Sequence, residues 1–488
     1  MNNYAPFHAI GLTSGLLILL CAACGNDDDG YDGLIPDPIV RYTVVEQLKT
    51  SDEELTIDEL ATVTKLSIWG PASDLAGLEY CVNLTYLWVD SYGFISDLSP
   101  LSNLANLREL YLFNQQIADI SPLAELTSLT KLNLDSNQIS DISALARLAN
   151  LTELELGRNQ ISDISPLAGL TNLTQLWISS GELHDISSLV GLTNLTRLSL
   201  GGNITDISPL AGLTNLTRLD VSGNITDLGA LARLTNLTSL SVGGNLSDLS
   251  PLAGLTNLEW LYLSDTQIED VSALAGMTDL WTLNLECNQI ADISALASLT
   301  NLTSLRIGGN RIADIGALAG MTQLEELNAV SNRISDLTPL AQLTRLDRLF
   351  LSDNQIEDLT ALDNGVNLTR LEAERNQIRD IGALAGMTRL VELRLAHNAI
   401  RDIGALVGMP HLEVLLLHEN LIVDLQPLVS NADLGGPPAG IDKDYVSLGN
   451  NLLSTRSRDL HLPTLRRRDV EIGDDAGRHS GYNLDCQE

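Results

Sequence analysis

The amino-acid sequence predicts an α/β repeat solenoid, in which one small unit of strand and turn is stacked many times. Three observations support this fold class. One pattern of leucine, asparagine and aspartate recurs every 22 residues through most of the 488-residue chain. Hydrophobic residues make up 44% of the sequence, while aromatic residues make up only 4%. Because aromatic side chains usually fill irregular cores, this composition indicates a regular aliphatic core.

The repeat unit is clearest in two consecutive segments, residues 129–146 and 151–168. Both follow the pattern L-x-x-L-x-L-x-x-N-x-I-x-D-I-x-x-L-A. The Leu-x-Leu pair alternates with a period of two, so both leucines point to the same side of a strand. A single unit cannot bury that side alone, but stacked units form a continuous core. We count sixteen units between residues 84 and 430, and three consecutive units are 21 residues long.

The asparagine of the repeat forms a column that is expected to satisfy backbone groups of its own and the adjacent unit, since an amide both donates and accepts. Gln115, Gly181 and Thr266 replace it, and looser turns are expected there. The predicted column comprises Asn137, Asn159, Asn203, Asn224, Asn245, Asn288, Asn310, Asn332, Asn354, Asn376, Asn398 and Asn420.

A second polar column contains one aspartate per unit, from Asp97 to Asp424. Each carboxylate is expected to cap a short helical turn by accepting a hydrogen bond from the N–H two residues later. Proline fits the first turn of such a helix, where its missing donor is not needed, and it occurs there at Pro122, Pro166, Pro209 and Pro251. Calcium binding is the alternative for this column, and one aspartate per unit supplies too few oxygen ligands for it.

This motif resembles that of the leucine-rich-repeat family, and specifically of bacterial internalin-like proteins, from about residue 36 to the C-terminus. The resemblance implies a curved, right-handed horseshoe with a parallel sheet on its concave side and short 3₁₀ turns on its convex side. Residues 37–49 and 56–63 resemble the N-terminal cap of internalins as two short amphipathic helices. We therefore expect a cap and incomplete first repeat at 36–83, sixteen repeats at 84–430, and a loop, last repeat and C-terminal cap at 431–488.

The first residues predict an export signal, because residues 16–20 are an apolar run too short to span a bilayer. Small residues then precede Cys24, and this arrangement resembles the signal sequence of bacterial lipoproteins. The resemblance implies a signal peptide at 1–23, a lipid on Cys24 and an acidic tether at 24–35. A plain cleaved signal is the alternative. We expect an exported lipoprotein anchored to the cell envelope, at the outer membrane or the cell surface.

Three further cysteines remain, namely Cys81, Cys287 and Cys486. Cys81 and Cys287 lie nine repeats apart, which at about 4.8 Å per strand corresponds to roughly 40 Å. A disulfide needs Cα atoms within about 7 Å, so these two cannot pair in one chain. We therefore expect packing, and not a disulfide framework, to hold the fold.

The variable positions between the motif leucines face solvent on the predicted concave sheet, and they are the candidate recognition surface. Aromatic residues at such positions are favoured as binding anchors. Packing on neighbouring strands is the alternative explanation. Trp281, at a flanking position, is interpreted as a packing residue. The candidate ligand-binding residues are Tyr86, Trp88, Tyr111, Phe113, Trp177, Trp260, Tyr262 and Phe350.

The sequence disfavours several functional classes. A formal net charge of −35 disfavours nucleic acid and anionic lipid headgroups as partners. No phosphate-binding loop, nucleophile elbow or spaced cysteine pair indicates an enzyme or a cofactor. His397, His418 and Glu419, with Glu392 nearby, are the best metal-ligand group, and scattered surface residues explain them better. We expect neither a metal nor a cofactor. We expect the protein to be a monomer.

The function predicted from the sequence is recognition of a protein ligand through the concave sheet, without catalysis. The acidic surface favours a basic or neutral partner. A glycan ligand is the first alternative, since exposed Trp and Tyr side chains can stack on sugar rings. A structural spacer of the envelope without a discrete ligand is the second.

Overall fold

The computed structural model describes residues 33–51, 55–90, 94–435, 444–473 and 486. The predicted signal peptide, Cys24 and most of the predicted tether lie outside the described residues. Two compact units are present, the first ending at Ile204 and the second beginning at Thr205. No helix among the described residues is long and apolar enough to cross a membrane.

The first unit begins with two short helices and continues as seven parallel strands, each paired with the next. The helices are α1 Pro38–Leu48 and α2 Ile57–Leu60. The strands are β1 Lys65–Trp69, β2 Tyr86–Asp90, β3 Glu109–Tyr111, β4 Lys131–Asn133, β5 Glu153–Gly157, β6 Gln175–Ser179 and β7 Arg197–Ile204.

The second unit contains twelve parallel strands and two short helices, α3 Gln426–Ser430 and α4 Leu462–Arg467. A π-helical turn, Ser457–His461, precedes α4. The strands are β8 Arg218–Ile225, β9 Ser239–Gly244, β10 Trp260–Tyr262, β11 Thr282–Asn284, β12 Ser304–Arg306, β13 Glu326–Asn328, β14 Arg348–Phe350, β15 Arg370–Glu372, β16 Glu392–Arg394, β17 Val414–Leu416, β18 Tyr445–Ser447 and β19 Glu471–Gly473.

Short 3₁₀ helices alternate with the strands, which confirms the predicted leucine-rich-repeat solenoid. Strands β2 to β17 number sixteen, matching the count of repeats in the sequence. The 3₁₀ helices are Leu78–Tyr80, Ser99–Leu101, Ser121–Leu123, Ser143–Arg147, Ser165–Gly169, Ser187–Gly191, Ser208–Gly212, Gly229–Arg233, Ser250–Leu252, Ser272–Leu274, Ser294–Ser298, Gly316–Gly320, Thr338–Leu340, Thr360–Leu362, Gly382–Gly386 and Gly404–Gly408.

The core consists of aliphatic columns that run along each unit. In a typical repeat, Leu151, Leu154, Leu156, Ile161 and Leu167 are fully buried. Burying one such side chain stabilises the fold by about 1.5–3 kcal/mol, which offsets the entropy lost on ordering the repeat. The strand leucines occupy every second position, so the residues between them are left on the solvent face of the sheet.

The asparagine column bridges consecutive repeats, as predicted. The amide of Asn310 donates to the carbonyls of Leu285 and Ile307 at 2.9 and 3.0 Å. Its Oδ1 accepts from the backbone N–H of Ile290 at 3.0 Å. Thr266 keeps the turn closed by donating its hydroxyl to Leu263, so the looser turn expected there is not found. These bonds satisfy backbone groups that the short strands leave unpaired.

The three 21-residue repeats depart from this arrangement. Asn203, Asn224 and Asn245 are exposed, unlike Asn310, although Asn203 still donates its amide to the carbonyl of Gly181 in the preceding repeat at 2.6 Å. In most 22-residue repeats the residue before the asparagine has a positive φ and forms a turn. The missing residue removes that turn, and β7 and β8 instead extend over eight residues each.

Glycine is required at the end of β9, in the third of the 21-residue repeats, because the backbone of β8 lies close to it. A Cβ at Gly244 would lie 2.3 Å from the carbonyl oxygen of Ile225. Because the clash involves backbone, a side chain there would displace the strand.

The aspartate column caps the 3₁₀ turns, as predicted. Oδ1 of Asp119 accepts from the backbone N–H of Ser121 at 2.8 Å, and the same contact recurs from Asp97 to Asp424. This hydrogen bond lowers the pKa of Asp119, because it favours the charged carboxylate. The caps therefore stabilise the fold above the usual aspartate pKa and are lost as the pH falls below it.

Both ends of the repeat region carry capping elements. The side chain of Asp37 caps α1 by accepting from Ile39 and Val40. Thr56 and Glu59 form a reciprocal capping box on α2, so a helix lies in each of the two predicted segments, although α2 covers only four residues. At the C-terminal end, β18 supplies the predicted last strand, and α4 packs beside β19 as the closing element.

The cysteines differ from the expectation in one respect. Cys287 and Cys486 form a disulfide, with Cα atoms 5.2 Å apart, so packing is not the only constraint on the second unit. The sequence argument tested only the distance from Cys81 to Cys287, because Cys486 lies beyond the repeat register. Cys81 is buried and free, and burial raises its pKa to about 12, which keeps the thiol protonated.

Replacing a buried asparagine of the column should destabilise the protein far more than replacing an exposed one. We expect Asn310→Ala to lower the free energy of unfolding by about 2–3 kcal/mol, because a buried N–H and two carbonyls lose their partner. Asn245→Ala, the matched control, should change it by less than about 0.5 kcal/mol. Urea unfolding followed by circular dichroism measures both, and equal losses would contradict the bridging role.

Candidate functional site

The candidate site is the solvent face of the sheet in the first unit, from β1 to β6. Burial alternates along β2, where Leu87 and Val89 are buried and the residues beside them are half-buried. Side chains at equivalent positions on neighbouring strands are in register, as Trp88 is with Tyr111. Adjacent strands thus bring equivalent side chains into contact across this face.

An aromatic cluster, formed by Trp69, Tyr86, Trp88, Tyr111 and Phe113, covers the start of this face. Trp88 lies at its centre, with ring centroids 5.1 Å from Tyr111, 5.3 Å from Phe113 and 6.3 Å from Trp69. Tyr86 contacts Tyr111 at 5.7 Å. The structure therefore brings together the four predicted residues Tyr86, Trp88, Tyr111 and Phe113, and they pack on one another while remaining half-buried.

Trp69 is a member of this cluster that the sequence reasoning missed. It ends β1, is 61% exposed and stacks on Trp88 with an interplanar angle of 28°. The repeat count began at residue 84, so β1 was assigned to an incomplete first repeat and its solvent face was not read. The signal was present in the Leu66-Ser-Ile68-Trp69 segment, which has the strand pattern of a repeat.

Within the aromatic cluster, one polar atom lacks a partner. Nε1 of Trp88 is buried and has no hydrogen-bond acceptor among the described residues. An indole N–H normally finds a partner when it is buried, because an unpaired buried donor costs about 1–3 kcal/mol. The face is thus apolar in its centre and carries one unused donor.

Carboxylates lie beside the aromatic cluster on β4 and β5. Glu155 accepts from the amide of Asn133 at 2.7 Å, and Lys131 pairs with Glu153 at 3.1 Å. Burial, followed by the charges of Asp135 and Glu153, raises the pKa of Glu155 to about 7. Burial also raises the pKa of Asp135.

Trp177 stands apart from the aromatic cluster. It is half-buried on β6, in register with Glu155 on one side and Ser199 on the other. The predicted site residue is therefore bordered by a carboxylate and not by another ring.

A second aromatic group lies in the second unit and contains Trp260, Tyr262 and Trp281. Trp260 and Trp281 meet edge to face, with ring centroids 5.9 Å apart. Tyr262 is 37% exposed and Trp281 is 51% exposed. Trp281 does contact Trp260, but its exposure corrects its interpretation as a packing residue alone.

Phe350 does not present an exposed ring, and this expectation was wrong. The side chain is only 5% exposed, because the guanidinium of Arg370 covers its ring at 5.3 Å. Arg370 in turn pairs with Glu372 at 2.5 Å and with Glu392 at 3.1 Å. The charged face that the sequence places around Phe350 is therefore an ion-pair network that satisfies itself.

The histidines considered as metal ligands make other contacts. His397 and His418 meet edge to face at 5.2 Å, and Nδ1 of His418 lies 2.5 Å from the hydroxyl oxygen of Ser447. Across residues 33–473 where they are described, no group of three or more His, Cys, Asp or Glu side chains is placed to hold a metal ion.

Comparison with known proteins agrees with the repeat architecture. The family model described as "Leucine Rich repeats (2 copies)" matches nine segments, some of which overlap, and together they span more than half of the chain. These segments are residues 105–147, 149–191, 193–233, 214–254, 256–298, 282–320, 300–342, 322–364 and 388–430. The chain therefore belongs to the leucine-rich-repeat family. No curated protein sequence matches it.

One solved structure narrows this assignment to a bacterial internalin-like protein, and a second shares the fold. An internalin from Listeria monocytogenes (InlF) is 38% identical, with a TM-score of 0.62, over 64% of this chain and 95% of that one. A leucine-rich-repeat protein from Leptospira interrogans is 21% identical, with a TM-score of 0.68, over 83% and 100% of the two chains.

A more distant neighbour shares the fold alone. The ectodomain of the Arabidopsis thaliana receptor kinase GASSHO1/SCHENGEN3, solved in complex with CASPARIAN STRIP INTEGRITY FACTOR 2, is 18% identical with a TM-score of 0.58. The alignment covers 82% of this chain and 57% of that one.

The raised pKa of Glu155 predicts a specific pH dependence of stability. A carboxyl whose pKa is higher in the folded state stabilises the fold as the pH falls from 7 towards 4.5, and this stability is lost as the pH rises again. Glu155→Gln should therefore raise the free energy of unfolding at pH 8 by about 1–2 kcal/mol, after allowance for partial hydration of the side chain. At pH 4.5 it should change little.

The control for this prediction is Glu182→Gln, which removes the same charge from an exposed position of the same unit. It should leave the difference between pH 8 and pH 4.5 unchanged. Urea titrations at the two pH values measure both variants. An equal response of the two would show that overall charge, and not the environment of Glu155, sets the effect.

Proposed function

We propose that this protein is a non-catalytic recognition protein of the bacterial cell surface, and that it binds a protein ligand through the solvent face of its sheet. The leucine-rich-repeat fold and the internalin-like relationship support a non-catalytic, protein-binding role. The observation that carries the proposal is the aromatic cluster around Trp88, where half-buried rings surround an N–H without a partner.

The physical reasoning rests on what such a cluster costs when it is left in water. Five rings on one face keep apolar area hydrated, and covering that area contributes about 25 cal/mol per Å² to binding. Tyrosine and tryptophan also lose little side-chain entropy when they are covered, which is why they dominate the binding energy of many interfaces. A protein ligand with an apolar centre would cover these rings and remove their apolar area from water.

The proposal extends to the second unit through the aromatic group of Trp260, Tyr262 and Trp281. Their exposure makes them candidate anchors of the same kind. A glycan is the other candidate there, because the exposed rings of Tyr262 and Trp281 are accessible for stacking on a sugar.

A binding experiment tests the function directly. We expect immobilised full-length protein to capture a protein from envelope and environmental extracts, and the triple variant Trp88→Ser, Tyr111→Ser, Trp260→Ser to lose it. A matched control replaces three exposed apolar side chains elsewhere, by Tyr42→Ser, Val190→Ser and Leu452→Ser. Mass spectrometry identifies the captured protein, and melting temperatures show that each variant is folded.

The possible outcomes separate the candidate functions. Capture by the parent and the control, but not by the triple variant, supports a protein ligand on the sheet face. Equal capture by all three proteins, or by none, contradicts it. A glycan array probed with the same three proteins distinguishes the sugar alternative, since only a glycan-binding face would give signals that depend on Trp260.

The cellular location is part of the same proposal. We infer a lipid on Cys24 from the resemblance of residues 16–24 to a lipoprotein signal. Metabolic labelling with an alkyne fatty acid should label the parent and not Cys24→Ser, and detergent phase separation should move the variant to the aqueous phase. Labelling of Cys24→Ser at the level of the parent would contradict the anchor.

A further inference from the structure

We propose that the solvent face of β2–β6 binds a basic segment of its protein ligand, with an arginine or lysine side chain against Asp135 and Glu155. This inference rests on the proposed function and specifies the chemistry of the ligand at the same surface. It is carried by the distribution of charge across the face, by the packing of its rings and by the contrast with a second region of the sheet.

Charge on the face of β2–β6 is unbalanced. Its solvent-facing positions hold one basic residue, Lys131, which already pairs with Glu153. Arg158 lies in the following turn; its charge opposes part of the rise in the pKa of Asp135, which burial causes, but it forms no ion pair with Asp135 among the described contacts. The acidic residues on the face are Asp90, Glu109, Asp135, Glu153 and Glu155.

The face of β12–β16 shows that this imbalance is not a general property of the sheet. There, Arg306 and Arg348 both pair with Glu326, at 2.8 and 2.9 Å. Arg394 pairs with Glu372 at 3.5 Å, and both side chains are buried. Acidic and basic side chains therefore alternate and neutralise one another on that face, whereas on β2–β6 the matching cations are missing.

Packing around the acidic pair suits a long basic side chain. Glu155 is flanked by Asn133 of β4, which donates to it, and by Trp177 of β6. Tyr111 borders Asn133 on the other side. Aromatic rings attract a cation over their faces and pack along the methylene groups of its side chain, while the carboxylates provide the counter-charge. The arrangement thus places aromatic rings beside two carboxylates, so that one basic side chain could contact both.

A cation bound beside Asp135 and Glu155 would offset an unfavourable interaction that is present in the free protein. Besides burial, the negative charges of Asp135 and Glu153 raise the pKa of Glu155 and so make its ionisation less favourable. An opposite charge within about 4–6 Å favours the ionised forms, so binding would release a proton from Glu155 near neutral pH. Long-range attraction to the net charge of −35 would act on any basic molecule, but it would be screened at physiological salt.

The test uses a displayed library of random dodecapeptides, selected on full-length protein in 150 mM salt. We expect the parent to enrich peptides that contain arginine or lysine together with apolar residues. The double variant Glu155→Gln, Asp135→Asn should lose the basic residues from its selected set. A matched control, Glu269→Gln with Glu357→Gln, removes the same charge from exposed positions elsewhere and should select the same peptides as the parent.

One selected basic peptide is then titrated by calorimetry. We expect the double variant to bind it at least tenfold more weakly at pH 8, and the control variant to bind within twofold of the parent. For the parent, affinity should fall by about 30-fold between pH 8 and pH 5.5, as Glu155 takes up a proton. Calorimetry in buffers of different ionisation enthalpy should show proton release at pH 7 for the parent and not for the double variant.

The outcomes distinguish this inference from the function on which it rests. Peptides without basic residues, enriched by the parent and lost in the triple aromatic variant, would overturn the basic ligand and leave the recognition surface intact. If the double variant and the control bind the peptide equally weakly, the attraction is due to overall charge. That result would overturn the proposed binding position beside Asp135 and Glu155. A parent that enriches no peptide beyond the triple aromatic variant would overturn both.

Discussion

Most repeats of this protein are joined to the preceding repeat by a buried asparagine, whose side chain reaches from its own turn to the backbone of that repeat. Asn310 contacts residues 285, 290 and 307, and therefore spans both the preceding repeat and its own strand. Since strands of three residues leave most of their flanking backbone unpaired, this bridge satisfies backbone groups that would otherwise be buried without a partner. The aspartate caps perform the same task for the 3₁₀ turns from an exposed position.

Because asparagine and aspartate side chains satisfy the backbone of the turns, the side chains on the solvent face of the sheet are not needed for that purpose. Two regions of this face differ in how their side chains are paired. Around Arg370 and Glu372 the face is closed by ion pairs, and even Phe350 is covered. Around Trp88 the face remains apolar and has more acidic than basic side chains, with Lys131 paired to Glu153. The same scaffold therefore carries one region whose charges are paired within the chain and one that we propose as the binding surface.

The sequence predicts those features that depend on the period alone. The strand leucines, the caps at Asp119 and its equivalents, and the position of Asn310 follow from spacing, because each repeat places them in the same surroundings. Asn203 did not follow, since a single missing residue converts its turn into strand and turns its side chain outwards. The repeat pattern holds no information about which turn a deletion removes.

The candidate site was predictable in position but not in exposure. Tyr86, Trp88, Tyr111 and Phe113 could be placed on one face from alternation, and they do meet there. Whether a ring on that face is open or covered depends on the length and charge of its neighbours, as Arg370 shows over Phe350. Trp69 was overlooked because its strand lies outside the regular repeats, and the partner of Cys287 because Cys486 follows the last of them.

The disulfide between Cys287 and Cys486 has a mechanical consequence for a protein whose proposed anchor is at its N-terminal end. The bond closes a covalent loop of 199 residues. Tension applied between the two ends of the chain would pass from residue 486 directly to residue 287, so strands β12 to β19 would carry none of the load while the bond is intact. Under shear, the repeats that precede the loop would yield first, and those within it would keep their shape.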